Sequence, residues 1–165
     1  MAGEFRIEDA TAADIPAIAA IYNHAAIHTT STWHEYPRSE AEMQAWFEQR
    51  SRDYAVLAAR DVTGLVGYAT YGQFRVPSGY RGTAEHSLYV TQSARGRGIG
   101  KALLAALIEK ARGQGLHILV GGVSSDNDLS IKLHTDMGFV ETGRLPQVGR
   151  KFDRWLTLVF LQKQL

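Results

Sequence analysis

Apolar positions in the first fifty residues recur mostly at helical spacing. After a short alternating segment, Phe5 to Ala10, which predicts a strand, Thr11 and Asp14 stand three apart ahead of Ile15, Ile18, Ala19 and Tyr22. A capping signal followed by one apolar stripe predicts a helix to about His28. Ser39 and Glu42 repeat that signal for a second helix through Trp46 and Phe47. The segment between them, His28 to Pro37, mixes polar and aromatic residues, and aromatics in a loop are candidate ligand walls.

From Tyr54 the period changes. The runs YAVLAAR and LVGYATYG, joined by DVTG, predict an antiparallel hairpin. An irregular stretch, QFRVPSGYRG, leads to a strand HSLYV, a glycine run and an alanine- and leucine-rich helix. LHILVGGV then reads as a buried strand, and Asp128 to Met137 as a short helix stopped by Gly138. FVETGR and RWLTLVFLQKQ supply two more strands, with LPQVGRKFD as their connector. The predicted fold is α/β (α+β), a mixed, mostly antiparallel sheet flanked by helices in one domain, residues 1–165. The order strand, glycine turn, helix, strand from His86 to Val123 predicts a right-handed crossover, with its glycines at the carboxyl end of a strand, where open sheets bind ligands.

Composition narrows the function classes. The 165 residues are 45% hydrophobic and 21% charged with a net charge of +1, so neither a nucleic-acid nor an anionic-membrane partner is expected. Absence of cysteine excludes thiolate metal sites and a covalent cysteine mechanism, and no His-rich or acidic cluster has ligand spacing. No metal is expected. No apolar stretch approaches the ~18 residues of a membrane span and the N-terminus lacks a signal-peptide pattern, which makes a cytoplasmic location the expectation.

Candidate chemistry starts at Arg95-Gly96-Arg97-Gly98-Ile99-Gly100-Lys101. Glycines let backbone approach a ligand closely, and the first free amides of a helix attract anions; an ordinary strand-to-helix turn would use the same residues. Two other phosphate loops fit poorly. A Walker loop needs Ser or Thr after the lysine, where Ala102 stands, and a dinucleotide fingerprint needs glycine where Lys101 stands.

The run matches R-x-x-G-x-G and so resembles the pyrophosphate loop of the GNAT acetyltransferase superfamily. Asn127, Ser130, Leu133 and then Met137 to Phe139 resemble that family's N-x-x-S/A-x-x-L…G-F segment. The resemblance covers essentially the whole chain. IYNHAAIHTTSTW, FRVPSGYRGTAEHSLYV and GRLPQVGRKFDRWLTLVFLQ are similar to its phosphinothricin and methionine sulfoximine acetyltransferase branch. It implies acetyl-CoA as co-substrate, direct transfer to the amine of a small amino acid, and a homodimer.

Residue roles follow from that resemblance. Arg95, Gly96, Arg97, Gly98, Ile99, Gly100 and Lys101 would wrap the diphosphate, with Arg97 or Lys101 adding charge. The strand backbone at Leu88, Tyr89 and Val90 would pair with the pantetheine arm, which Asn127 and Ser130 would also meet. Glu85 is the expected general base for the amine, and His134 stands where many relatives carry a tyrosine that protonates the departing thiolate. The acceptor is expected among Arg75, Val76, Pro77, Glu85, His86 and Ser87, with Tyr22, Trp33, Phe74, Tyr80, Arg81, Arg150 and Lys151 around them. Arg75 could clamp a carboxylate, sulfone or phosphinate through its planar guanidinium. Two rival readings of the chain are a non-catalytic acyl-CoA sensor and an acetyltransferase for another amine or a protein N-terminus.

Overall fold

A computed structural model describes residues 4–165. One seven-stranded sheet runs in the order β1-β2-β3-β4-β5-β7-β6. Its strands are β1 (Arg6–Asp9), β2 (Val56–Asp61), β3 (Gly64–Gln73), β4 (Thr83–Val90), β5 (Ile118–Ser124), β6 (Val140–Lys151) and β7 (Arg154–Gln164). All neighbours are antiparallel except β4 and β5, which α3 (Ile99–Gly113) joins as a crossover. Parallel neighbours need such a connection because the chain must return to the same end of the sheet.

Two apolar layers sandwich the sheet. On one face α1 (Ile15–His28) and α2 (Glu40–Asp53) bring Ile18, Tyr22, Met43 and Phe47 against Val56 and Tyr68. On the other, Ile99, Leu103, Leu104, Leu107 and Ile108 of α3 cover Leu57, Ala69, Ala84 and Leu119. Ile131 and Leu133 of α4 (Asp128–Asp136) join this second layer. The two helix-start signals are both present as reciprocal boxes. Ser39 and Glu42 cap α2, whereas Thr11 and Asp14 cap a 3-10 turn, Ala12–Asp14, after which α1 begins at Ile15 with Pro16 in its first turn.

The feature that makes a site is a parting of two strands. β4 pairs with β5 only from Thr83↔Ile118 to His86↔Gly121. Beyond that, β4 keeps its pairing with β3 through Val90, and β5 keeps its pairing with β7 through Ser124. A wedge therefore opens, with Ser87 to Val90 on one wall and Gly122 to Ser124 on the other. Backbone groups on the inner edges of both walls lack a strand partner, so they can bond a ligand laid between them.

One predicted connector is corrected. LPQVGRK is part of β6, which continues to Lys151 past an irregularity between Leu145 and Gly149, where Gln147 has φ 53°. Pro146 lacks an amide hydrogen and breaks the pattern locally without ending the strand. The turn into β7 is only Phe152-Asp153, at φ 54° and 56°, the positive pair of a tight hairpin turn. β4 also starts earlier than HSLYV, at Thr83.

Candidate active site

The glycine run is a helix start with exposed amides. Gly98 is the residue before α3, at φ 82°, and Gly96 sits at φ 74°. A Cβ on either would meet nothing within 4 Å, so both glycines are required for their backbone angle. Gly100 differs: a Cβ there would make ordinary contact with Leu133, at 3.4 Å, and Leu88, at 3.8 Å, so this position faces α4 and β4. No side chain caps α3, which leaves the amides of Ile99, Gly100 and Lys101 facing outward at the positive end of the helix dipole. Negative charge is what this geometry accepts.

A cavity of about 1070 Å³ leads from this loop into the wedge. Its lining includes Arg95, Gly96, Gly98, Ile99, Gly100 and Lys101. It also reaches Leu88, Tyr89 and Val90 and, across the wedge, Asn127, Ser130 and His134. Arg97 is the member of the run left out. Its guanidinium turns away to Asp61 at 2.6 Å, and hydrogen bonds from Thr63 and then Arg97 hold the Asp61 carboxyl at about 2. The expected charge from the Arg97 side chain thus goes to anchoring the loop on the β2–β3 turn, leaving Lys101 and Arg95 as the cations of the lining. Asn127 is itself the cap of α4: its side-chain oxygen accepts from the Ser130 amide at 3.1 Å.

A second cavity, about 540 Å³, opens on the α1/α2 face and shares His86, Ser87, Tyr89, Gly122 and Ser124 with the first. Glu85 lies in this second cavity only. Its carboxylate rests over Gly122, where a Cβ would come within 3.1 Å of Oε1. Burial pushes the Glu85 carboxyl up, against the opposing charges of Arg75 and then Arg50. A raised carboxyl is a better proton acceptor near neutral pH than a free one.

The outer wall is the loop from Thr30 to His34. Thr30 donates to Asp126 at 3.0 Å, and the buried Lys151 donates to the Thr32 carbonyl at 2.7 Å. Trp33 lies against Gly149, where a Cβ would overlap its ring. The β6–β7 hairpin therefore holds this wall in place through one glycine and one lysine. We expect Gly149→Ala to displace Trp33 and raise the acceptor KM several-fold, with acetyl-CoA affinity unchanged, in steady-state kinetics with each substrate varied.

His86 and His134 form a buried pair beneath the wedge, Nε2 to Nε2 at 2.8 Å. His134 Nδ1 lies 2.6 Å from the Ser130 carbonyl, so it carries the proton and donates there. With the pair neutral, His134 Nε2 then accepts from His86 Nε2. Both nitrogens of His134 are engaged, Nδ1 with the Ser130 carbonyl and Nε2 with His86, and the ring lines the larger cavity. Gly121 makes room for the pair, since a Cβ there would stand 2.9 Å from His86 and 3.1 Å from His134.

Burial, reinforced by the facing His134, pushes His86 down to about 3, and burial also lowers His134. Between that value and about 6.5 the unfolded chain binds protons that the fold refuses, so stability must drop as pH falls through this window. We expect the urea midpoint to decrease from pH 7 to pH 5, and to decrease less in His86→Asn, which keeps a donor toward His134. Equal slopes in the two proteins would contradict the assignment.

Several expected acceptor residues lie elsewhere. Arg75 is exposed, folds back on Phe74 with its guanidinium 4.2 Å from the ring, and donates to the Phe74 carbonyl. Phe74 packs on Tyr80, and Val76, Pro77, Tyr80 and Arg81 are exposed outside both cavities. Tyr22 is core, edge-on to Tyr89 beneath the cavity. Lys151 supports the wall without lining it, and Arg150 pairs with Asp153 at the hairpin turn. The structure brings together Trp33, Glu85, His86 and Ser87, and adds Arg50 and Gln73, which no local motif marks.

A seven-stranded sheet parted at its one parallel pair, with a glycine-set helix start at the opening, defines a protein that binds an extended anionic ligand at that parting. Residues 18–139 match the family model for the Acetyltransferase (GNAT) family, and the chain belongs to that family. It is 52% identical over 161 residues to the L-methionine sulfoximine/L-methionine sulfone acetyltransferase of Pseudomonas aeruginosa strain PAO1, covering 96% of this chain and 94% of that protein. A phosphinothricin N-acetyltransferase from Alcaligenes faecalis is 38% identical over 154 residues, 92% of this chain and 78% of that one. Among solved structures, an acetyltransferase from Salmonella typhimurium with its cofactor acetyl-CoA superposes with a TM-score of 0.95 at 43% identity, covering 98% and 94% of the two chains.

Proposed function

We propose that this protein transfers an acetyl group from acetyl-CoA to the α-amine of a small amino acid of the methionine sulfoximine, methionine sulfone or phosphinothricin type, with both substrates bound together. The observation that carries this reading is the meeting of the two cavities along Ser87, Tyr89 and Gly122, with Glu85 on the acceptor side. The names of the relatives support the acceptor class.

When bound, acetyl-CoA supplies a thioester carbon open to attack by an amine. Exposed amides at Ile99, Gly100 and Lys101 fit its diphosphate, and the free strand edge from Ser87 to Val90 fits an extended arm and offers an amide to a carbonyl oxygen. Glu85 takes the proton of the acceptor ammonium, directly or through water, which frees the nitrogen lone pair. His86 and His134 fix the floor of the wedge as a neutral, hydrogen-bonded pair. A proton for the departing sulfur then comes from water.

Thiol release from acetyl-CoA tests the reading across methionine sulfoximine, methionine sulfone, phosphinothricin, ordinary amino acids, a polyamine and an N-terminal peptide. Turnover concentrated on the sulfur and phosphorus analogues is the expected result, and turnover only with the polyamine or peptide would overturn it.

We further propose that two copies associate through the β6–β7 hairpin. Supporting this are the unpaired outer edge of β6 and the exposed Leu145, Val148, Phe152 and Trp155. Sedimentation should give twice the chain mass, and Trp155→Lys should lower it to one.

A further inference from the structure

Arg50 is the residue in the acceptor cavity that neither the glycine loop nor the proton transfer accounts for. Resting on the proposed amino-acid acceptor, we propose that Arg50 binds the acceptor's α-carboxylate from a slot created by Gly72, opposite the Glu85 carboxylate that receives its ammonium. Three observations place it there.

Arg50 is on the buried face of α2, one turn beyond Trp46 and Phe47, and its guanidinium lies 6.0 Å from the ring centres of Trp46 and Tyr54. That face points the charge at the sheet. The slot itself is glycine: a Cβ on Gly72 would overlap Nη1 and Cζ of Arg50. Gly72 is also the cross-strand partner of Glu85, so both residues face the same side and their neighbouring Cβ directions are about 5 Å apart. The guanidinium occupies the space a side chain at 72 would fill, beside the Glu85 carboxylate.

Neither group is satisfied within the protein. Among the described residues the Arg50 guanidinium makes no hydrogen bond or ion pair, and neither does the Glu85 carboxylate. Burial lowers Arg50 and raises Glu85, which is the cost of half-burying two charges that do not meet. A zwitterion relieves both at once, its carboxylate taking the planar fork of Arg50 and its ammonium lying at Glu85. An amine without the carboxylate relieves only one. The pocket thereby selects α-amino acids over plain amines of the same side chain.

The test is calorimetric binding of methionine sulfone and of its decarboxylated amine, 3-(methylsulfonyl)propylamine, to the full chain in the presence of CoA. The native protein should bind the amino acid at least about tenfold tighter than the amine. Arg50→Gln should erase most of that preference by weakening the amino acid alone, and Arg50→Lys should restore part of it. Gly72→Ala, which evicts the guanidinium from its slot, should resemble Arg50→Gln. Unchanged CoA binding verifies that each variant is folded.

Equal binding of the two ligands by the native protein, no binding of either, or a loss in Arg50→Gln that is the same for both, would overturn the clamp. Turnover is read separately. Binding with the Arg50-dependent preference but no thiol release would retain the clamp and remove the proposed reaction, while turnover without the preference would do the reverse.

Discussion

Glu85→Gln is expected to bind acetyl-CoA like the native protein and to lose about 10²- to 10⁴-fold in kcat near neutral pH, the range over which positioned bases act. Glutamine keeps the shape that rests over Gly122 and removes only the ability to hold a proton. The pH profile gives the sharper reading. The native kcat/KM should fall with decreasing pH as Glu85 becomes protonated, at a value above that of an ordinary glutamate because the carboxyl is half-buried. That acidic limb should be missing from the residual activity of the variant.

Stability should move the other way. A carboxyl raised in the fold binds protons more readily there than in the unfolded chain, so its ionisation at neutral pH opposes folding. Glu85→Gln is therefore expected to keep or raise the melting temperature at pH 7 while losing turnover. A variant that loses both would indicate a structural carboxylate. Retained turnover with an intact acidic limb would move the base to another group.

The second large effect is expected at Gly98, where α3 begins. Gly98→Val should weaken acetyl-CoA binding roughly 10-fold or more, since a left-handed backbone angle costs a non-glycine residue about 1–2 kcal/mol and a β-branched one more. Open space surrounds the added side chain, so any loss comes from the backbone turning its amides off the ligand. Gly113→Ala, near the other end of α3 and equally open, has no positive φ and should leave binding unchanged. A calorimetric titration of acetyl-CoA against both variants separates these cases. Normal affinity in Gly98→Val would mean that the helix-start amides do not hold the diphosphate.

Both predictions concern residues visible in the sequence for different reasons. The glycine loop is a local signal: backbone angles and helix-start amides depend on neighbours along the chain, and the spacing from Arg95 to Lys101 carries them. Even here one detail escaped. Arg97 faces Asp61, thirty-six positions away in the chain, and no local pattern reports such a pairing. Glu85 became a candidate through the family resemblance, and its spacing alone would have left it an ordinary carboxylate.

His134 depends on contacts that lie outside any local pattern. Its residue type fits proton donation, but the fold engages one nitrogen with Ser130 and the other with His86. Arg75 lies on Phe74 at the surface, where its charge still acts on the Glu85 carboxyl. Arg50 carries a signal in the sequence. It continues the buried stripe of Met43, Trp46 and Phe47 at helical spacing, and a charge on the core face of a helix calls for a partner.

The strands and helices, the helix caps and the anion-binding turn are legible in the sequence, because each is written in contacts only a few residues apart. Long-range packing sets where β4 and β5 part, that β6 runs on to Lys151, and which charges share the smaller cavity. Those outcomes depend on residues from α2, β3, β4 and β5 meeting across one sheet. Their mutual distances are set by packing, which no single stretch of the chain contains.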